Sequence, residues 1–323
     1  MMARDRAVAK PSDSPTLQRP TRGWPFMQIP WATQRKVWAY VFLSVPFLYF
    51  LAVNFGAMLA AFSYSFQNYD TLSSVRTFAG LNNYRGLFSE GAFLQSLRNT
   101  IMFAVIRVPA VIVLSLGIAL LLASIKRCKG FFRMLYFMPF VTSAVAIAWI
   151  FRFMYLPNFG LFTAVCDFLS VPRIDFLGNP RTALPSIAAT SVWASIGFYT
   201  LIFLAGLEDI PIEFYEAAMV DGAGSWQRFR SITVPLLNRT LVLATVLCLI
   251  SSLQTFTFVR MMSADNGFGG PLGATRTLPI MIYREAFFSM NMGRAAAISV
   301  VFFFIVLAAS LLQRRILTRE ADY

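Results

Sequence analysis

Any chemistry in this chain has to be done without histidine, which the sequence lacks. That removes imidazole acid–base catalysis, Ser-His triads and histidine-ligated metals together. Cys128, Cys166 and Cys248 are too far apart for a metal-ligand spacing. No Gly-x-x-x-x-Gly-Lys-Ser/Thr phosphate loop occurs either. The groups left to handle a solute are polar and aromatic side chains inside apolar runs. Arg107 stands within one such run, two residues before Pro109. A charge there is costly and points to a function, contact with an anionic solute among them. Packing, pairing with a carbonyl, or a place near the outer boundary are the plainer readings. Ser251 and Gln254, with Ser252, Thr255 and Thr257, suit a solute or a hydrogen bond between helices. Phe256, Phe258 and Tyr283, with Phe287 and Phe288, offer faces for stacking, and phenylalanine is equally ordinary packing material.

These groups need elements to hold them, and the composition says which. The chain is 57% hydrophobic and 13% charged, with a mean hydropathy of +0.62. Soluble domains carry about 25% charged residues, so the lipid bilayer is the expected surroundings. A spanning helix needs about 20 apolar residues. Six runs qualify, near 38–65, 97–124, 132–155, 183–207, 239–262 and 294–316. This predicts an all-α polytopic membrane protein with a transmembrane domain over 37–316. It is flanked by a proline-rich, basic tail over 1–36 and a short tail over 317–323. The first apolar run comes too late and is too long for a cleaved signal peptide. The net charge of +13 resides largely in the tails and connections, so membrane topology explains it and a nucleic-acid partner is not expected. Lys126, Arg127, Lys129, Arg133, Arg314, Arg315, Arg319 and the basic tail fall on one side, which places both termini in the cytoplasm.

The connection over 208–238 is longer than a turn requires and is rich in acids: Glu208, Asp209, Glu213, Glu216 and Asp221. Pro211 suits the first turn of a helix, with Asp209 as its cap. Ile212, Tyr215, Ala218 and Met219 fall near one face at helical spacing. Gly222 and Gly224 end that helix. Ser225 then caps a second one, whose apolar stripe is Trp226, Phe229, Ile232 and Val234, and Pro235 bends the chain back into the membrane. The expected product is a helix–turn–helix with the small residues Ala217, Ala218, Gly222, Ala223 and Gly224 at its tip. Periodicity alone would equally describe an amphipathic elbow resting on the membrane.

The order Glu216-Ala217-Ala218, Asp221-Gly222-Ala223, Trp226, Phe229, Ile232, Thr233, Pro235 resembles the EAA motif of the membrane subunits of ABC importers. Asp-Gly-Ala in place of Leu-Gly-Ala is similar to the carbohydrate and glycerol-phosphate group, which is MalF-like. Further matches are Phe78 to Tyr84, Asn99-Thr100, Phe132-Arg133, Phe137-Met138-Pro139, Gly160-Leu161, Gly269-Gly270-Pro271, Thr275, Thr277-Leu278, Ile282-Tyr283 and Ala286-Phe287. Asn82 stands where the family usually has Asp, and Ser263 to Phe268 lengthens the loop before Gly-Gly-Pro. The resemblance implies a type I ABC importer permease fold in a bacterial inner membrane, a transport subunit rather than an enzyme. It implies that residues Glu216 to Gly224 form a coupling helix docked on one of two ATP-binding subunits. Those subunits would carry the ATP and magnesium, and this chain no cofactor or metal. A second permease and an extracytoplasmic solute-binding protein complete the implied assembly. A sugar, oligosaccharide or similar solute is the implied cargo. Ile280 to Phe288 reads as a short external helix, on the membrane surface or against a binding protein. A secondary transporter would favour internal repeats and membrane-embedded acids, and neither is seen in the sequence.

Overall fold

The structure is a computed structural model that describes residues 31–72, 76–125, 127–263 and 268–318. Most of the N-terminal tail, Lys126, residues 264–267 of the lengthened loop, and Arg319 lie outside the described residues. The chain divides into two compact units, one reaching Ala57 and the other starting at Met58. In the first, α1 (Trp31–Phe50) contains Pro46 and is followed by one π turn, Leu51–Phe55. None of its described residues is buried. An apolar helix is satisfied in lipid, because every backbone group bonds within it.

Helix α2 (Gly56–Tyr64) leads into a small hairpin of β1 (Gln67–Tyr69) and β2 (Arg76–Phe78). The Arg76 guanidinium lies 4.4 Å from the centre of the Tyr69 ring, a cation–π contact. This hairpin is the exception to an otherwise helical chain among the described residues. After α3 (Asn82–Ser89) comes α4 (Gly91–Ser124). Its 34 residues reach about 50 Å at about 1.5 Å each, more than the ~30 Å bilayer core needs.

The third apolar run is not the straight span expected over 132–155. Helices α5 (Lys129–Val141) and α6 (Ala144–Met154) meet at 90°. Pro139 lacks the donor an inner turn requires, and Thr142 and Ser143 are extended, with ψ of 146° and 124°. Helix α7 (Leu161–Phe168) follows. Helix α8 (Ala183–Glu208) is the most deeply packed span, with 67% of its apolar window buried. It crosses α5 at Gly197, where a Cβ would lie 1.9 Å from the Tyr136 carbonyl oxygen. Close crossings of this kind demand the smallest residue. At its end, Glu208 Oε1 accepts hydrogen bonds from Lys129 Nζ and Arg133 Nη2, both at 2.6 Å. The groups are partly exposed, so each pair contributes at most about 1 kcal/mol.

The connection that follows contains α9 (Ile212–Val220), α10 (Ser225–Arg228), a π turn over Phe229–Thr233, and α11 (Val234–Leu236). Helix α12 (Asn238–Leu253) leaves at 69° to the segment before it. Helix α13 (Thr257–Met262) is separate from α12. The expected straight span over 239–262 is therefore broken at Gln254 to Phe256. Helix α14 (Leu278–Phe287) buries Leu278, Ile280, Met281 and Ala286, and Leu278 and Met281 join a core with Leu87, Phe93 and Ala297. It is packed along one face; Arg284, Phe287 and Phe288 remain exposed. Helix α15 (Met292–Thr318) closes the chain. Among the described residues four helices are long and apolar enough to cross a membrane, and up to six spans result if each bent pair is one.

Candidate functional site

Helix α9 projects most of its side chains into open space. Tyr215 and Ala218 are half-buried, as the periodicity predicts. Ile212 and Met219, expected on the same face, are exposed, and so are Phe214 and Val220. Val220 is 88% exposed. One side-chain bond fastens the helix to its return arm, between the Tyr215 hydroxyl and Thr233 Oγ1 at 3.0 Å. Glu213, Glu216 and Asp221 are exposed, as is Ala217, and none of the acids joins an ion pair among the described residues.

The helix ends in a Schellman closure. The Gly222 N–H donates to the Met219 carbonyl at 3.1 Å, and the Ala223 N–H to the Ala218 carbonyl at 2.8 Å. Gly222 adopts φ +79° to make this turn. A Cβ at Gly222 or Gly224 would meet nothing within 4 Å, so the tip is open to a partner. Two capping expectations are corrected. Asp209 ends α8, its N–H bonded to the Ala205 carbonyl at 3.2 Å, and Pro211 precedes α9 instead. Ser225 is the first residue of α10, with Gly224 in the cap position. With so few residues between α8 and α9, Asp209 belongs to the end of one helix and cannot serve the start of the next. Of the expected second stripe, Trp226 is 71% exposed and Phe229 half-buried.

The second group of expected site residues is divided between two places. Arg107 is the seventeenth residue of α4, which starts at Gly91 and has 34 residues, so it stands mid-helix and not near an end. It is 6% exposed. Its Nη1 donates to Ser252 Oγ at 2.6 Å, Ser251 Oγ at 2.9 Å and the Cys248 carbonyl at 3.4 Å. The Tyr199 hydroxyl on α8 lies 3.4 Å from Ser251 Oγ. Three helices thus share one polar node inside the core built on Val111, Val192, Phe203 and Ala244. Ser251 and Gln254 are its exposed edge, beside the α12–α13 break. Tyr199 and the break went unread in the sequence, since a lone tyrosine in an apolar run carries no spacing signal.

Arg107 has no carboxylate partner among the described residues, and its Nε has no hydrogen-bond partner. The serines do not depend on it, because both hydroxyls also donate to the Cys248 carbonyl, at 3.0 and 2.6 Å. A buried charge without a counter-ion carries a desolvation cost that an apolar residue of similar volume does not. Arg107→Met is therefore expected to hold or raise the thermal midpoint of the purified chain while raising the half-saturation concentration for uptake of an anionic solute. A lowered midpoint with unchanged half-saturation would assign the arginine to packing alone.

Phe256 and Tyr283 come together, with ring centres 5.2 Å apart, and Tyr283 also meets Phe287 at 5.1 Å. Phe268 and Phe288 continue the group at 4.2 Å, with the Arg260 guanidinium 4.5 Å from the Phe268 ring. Phe258 and Phe256 both pack on a core with Phe103, Ile187 and Val259, and Phe258 joins none of these ring pairs. Two of the separately matched motifs also meet. Asn99 Nδ2 donates to the carbonyls of Gly273 at 2.9 Å and Arg276 at 3.0 Å, and the Leu278 N–H donates to Thr100 Oγ1 at 2.8 Å. Gln95 Nε2 adds a bond to the Leu272 carbonyl at 2.9 Å. The segment before α14 is thereby strapped to the second and third turns of α4.

A multi-pass helical chain with a polar node between its spans and an open helix–turn–helix between two of them is a membrane transport subunit. The chain belongs to the family of binding-protein-dependent transport system inner membrane components, which it matches over residues 115–321. It is 33% identical over 286 residues to the probable ABC transporter permease protein YurN of Bacillus subtilis strain 168, covering 87% of this chain and 96% of that one. It is 32% identical over 242 residues to the trehalose/maltose transport system permease protein MalF of Thermococcus litoralis, covering 75% and 80%. Its fold is similar to a chain in the crystal structure of a bacterial ABC transporter that imports the acidic polysaccharide alginate. The TM-score is 0.78 at 20% identity, over 89% of this chain and 97% of that one.

Proposed function

We propose that this chain is one half of the pore of an ATP-driven importer that brings a sugar or oligosaccharide across a bacterial inner membrane, with both termini in the cytoplasm. Its partners are a second permease, two ATP-binding subunits holding ATP and magnesium, and an extracytoplasmic solute-binding protein. The observation that carries this reading is α9, closed by Gly222, exposed on its outer face and tied to its own chain by Tyr215. A free-standing chain gains nothing from a helix that keeps Ile212, Phe214, Met219 and Val220 in water. Docked in a cleft, the same face is buried, and Glu216 can pair with a cation there.

A docked helix transmits force only if the two states of the ATPase hold it differently. Closure of the ATP-binding subunits draws the coupling helices together and turns the spans as rigid bodies, which exposes the pathway to alternate sides. The sugar reading is supported by the relatives' names. The break at Gln254 to Phe256 supports a path beside the polar node, because irregular backbone at membrane depth is tolerated where it is packed in protein or lines a wet cavity. Arg107, Ser251 and Gln254 would border that path, with Phe256 and Tyr283 beyond them, and Phe258 would only support it.

The test is co-purification of the tagged chain from native membranes in mild detergent. An ATP-binding subunit and a second permease are expected with the native chain, and Glu216→Lys is expected to lose the ATPase while keeping the permease. A chain that emerges alone, or as a homo-oligomer without an ATPase, would defeat the importer reading.

A further inference from the structure

The return arm of the connection and the end of α4 line a groove of about 520 Å³ that is largely open to its surroundings. Leu120 lines it, four residues before the end of α4 at Ser124, or about 6 Å along the axis at about 1.5 Å per residue. Phe229 and Trp226 form an aromatic wall, their rings 5.4 Å apart. Ser225 and Arg228 stand at the polar side. The lining contains one cation and no carboxylate. Arg228 forms no ion pair among the described residues, and its Nη2 donates to the neighbouring Ser225 Oγ at 3.3 Å.

We propose that this cavity holds the headgroup end of an anionic phospholipid. Its lining joins an aliphatic and aromatic surface, Leu120, Trp226 and Phe229, to a guanidinium and a hydroxyl at Arg228 and Ser225, the two kinds of surface that an acyl chain and a phosphate require. Tryptophan is favoured at the interfacial level, and an arginine without an acid partner offers a fork suited to a phosphate diester. Basic pockets beside spanning helices take anionic headgroups by this chemistry. A soluble anion would leave the apolar wall uncovered. A zwitterionic lipid would bring a second cation toward Arg228. Tyr215 and Thr233 also line the cavity, and their hydroxyls form the bond that fastens α9 to its return arm. The lipid therefore packs α4, the coupling helix and the return arm as one group. This inference rests on the membrane placement of the chain and not on its attachment to an ATPase.

The test uses the purified transporter, with whatever subunits accompany it, and the chain alone, both in phosphatidylcholine nanodiscs. Brominated phosphatidylglycerol or brominated phosphatidylcholine replaces part of the lipid, and the Trp226 signal is taken as the difference from Trp226→Phe. Saturable quenching by phosphatidylglycerol at low mole fraction is expected, moving about tenfold higher in Arg228→Gln and back in Arg228→Lys. Equal quenching by the two lipids at every fraction would overturn the site. So would quenching confined to the chain alone, which would show that a partner subunit fills the cavity. The readout needs no ATP turnover, so it stands or falls separately from the coupling role of α9.

Discussion

Replacing Gly197 with valine is expected to keep the chain from accumulating in the membrane. The crossing of α8 and α5 is backbone against backbone, with a Cβ position 1.9 Å from the Tyr136 carbonyl oxygen and 2.9 Å from the Phe137 Cα. No side chain can rotate away to make room, so the helices must separate. Separation would undo the stacked rings of Phe140 and Phe198, 4.6 Å apart, and pull the Lys129 and Arg133 side chains from Glu208. Overpacking in a closed core costs about 1–3 kcal/mol, and a clash with fixed backbone belongs at or beyond the top of that range. Membrane yield and the thermal midpoint in detergent are the readouts, with Gly197→Ala expected to fall between wild type and valine. A valine variant with normal yield and an unchanged midpoint would mean that this crossing is looser than the structure places it.

Gly222→Val is expected to reduce solute uptake by more than about tenfold, a loss near 1.4 kcal/mol, with little change in the thermal midpoint. The position is open, since an added Cβ meets nothing within 4 Å, so contact cannot be the cause. The cause is φ of +79°, which costs an ordinary residue roughly 1–2 kcal/mol and a branched one more. Relief of that strain opens the bonds from Gly222 and Ala223 to the last turn of α9 and changes how the helix is presented. Gly222→Asn, which tolerates the left-handed region, should retain most of the uptake. Normal uptake in the valine variant would show that the closure does not matter to coupling.

The long apolar helices were legible because twenty apolar residues in a row admit little else. The expected runs 97–124, 183–207 and 294–316 all lie within α4, α8 and α15. The third run carried a warning in Pro139 that hydropathy overrode, since Ala144 to Met154 continues the apolar count across a right-angle bend. The break at Gln254 has no glycine or proline to announce it; only the polar cluster from Ser251 to Thr255 marks it. The helix–turn–helix was legible from its glycines, but its caps were assigned by residue type when chain length between helices decides them. The exposure of Ile212 and Met219 is not legible from helical spacing, which shows which residues share a face and not whether anything in the same chain covers it. The hairpin over β1 and β2 has strands too short for a visible alternation. Long-range contacts such as Arg107 with Ser252, or Glu208 with Lys129, depend on tertiary placement that spacing does not encode.

The strap from Gln95, Asn99 and Thr100 to the segment before α14 has a mechanical meaning. Helix α4 is continuous from that strap to Leu120 at the lipid cavity, 25 residues or about 38 Å at about 1.5 Å per residue. It behaves as a push rod with a fitting at each end. If α9 is the coupling helix proposed above, a displacement delivered beside Leu120 would reach the Gly269 to Leu278 segment through one helix, with Pro109 at mid-length as its softest point. The neighbouring span has no such continuity, because its helical form lapses at Gln254 to Phe256, between α12 and α13.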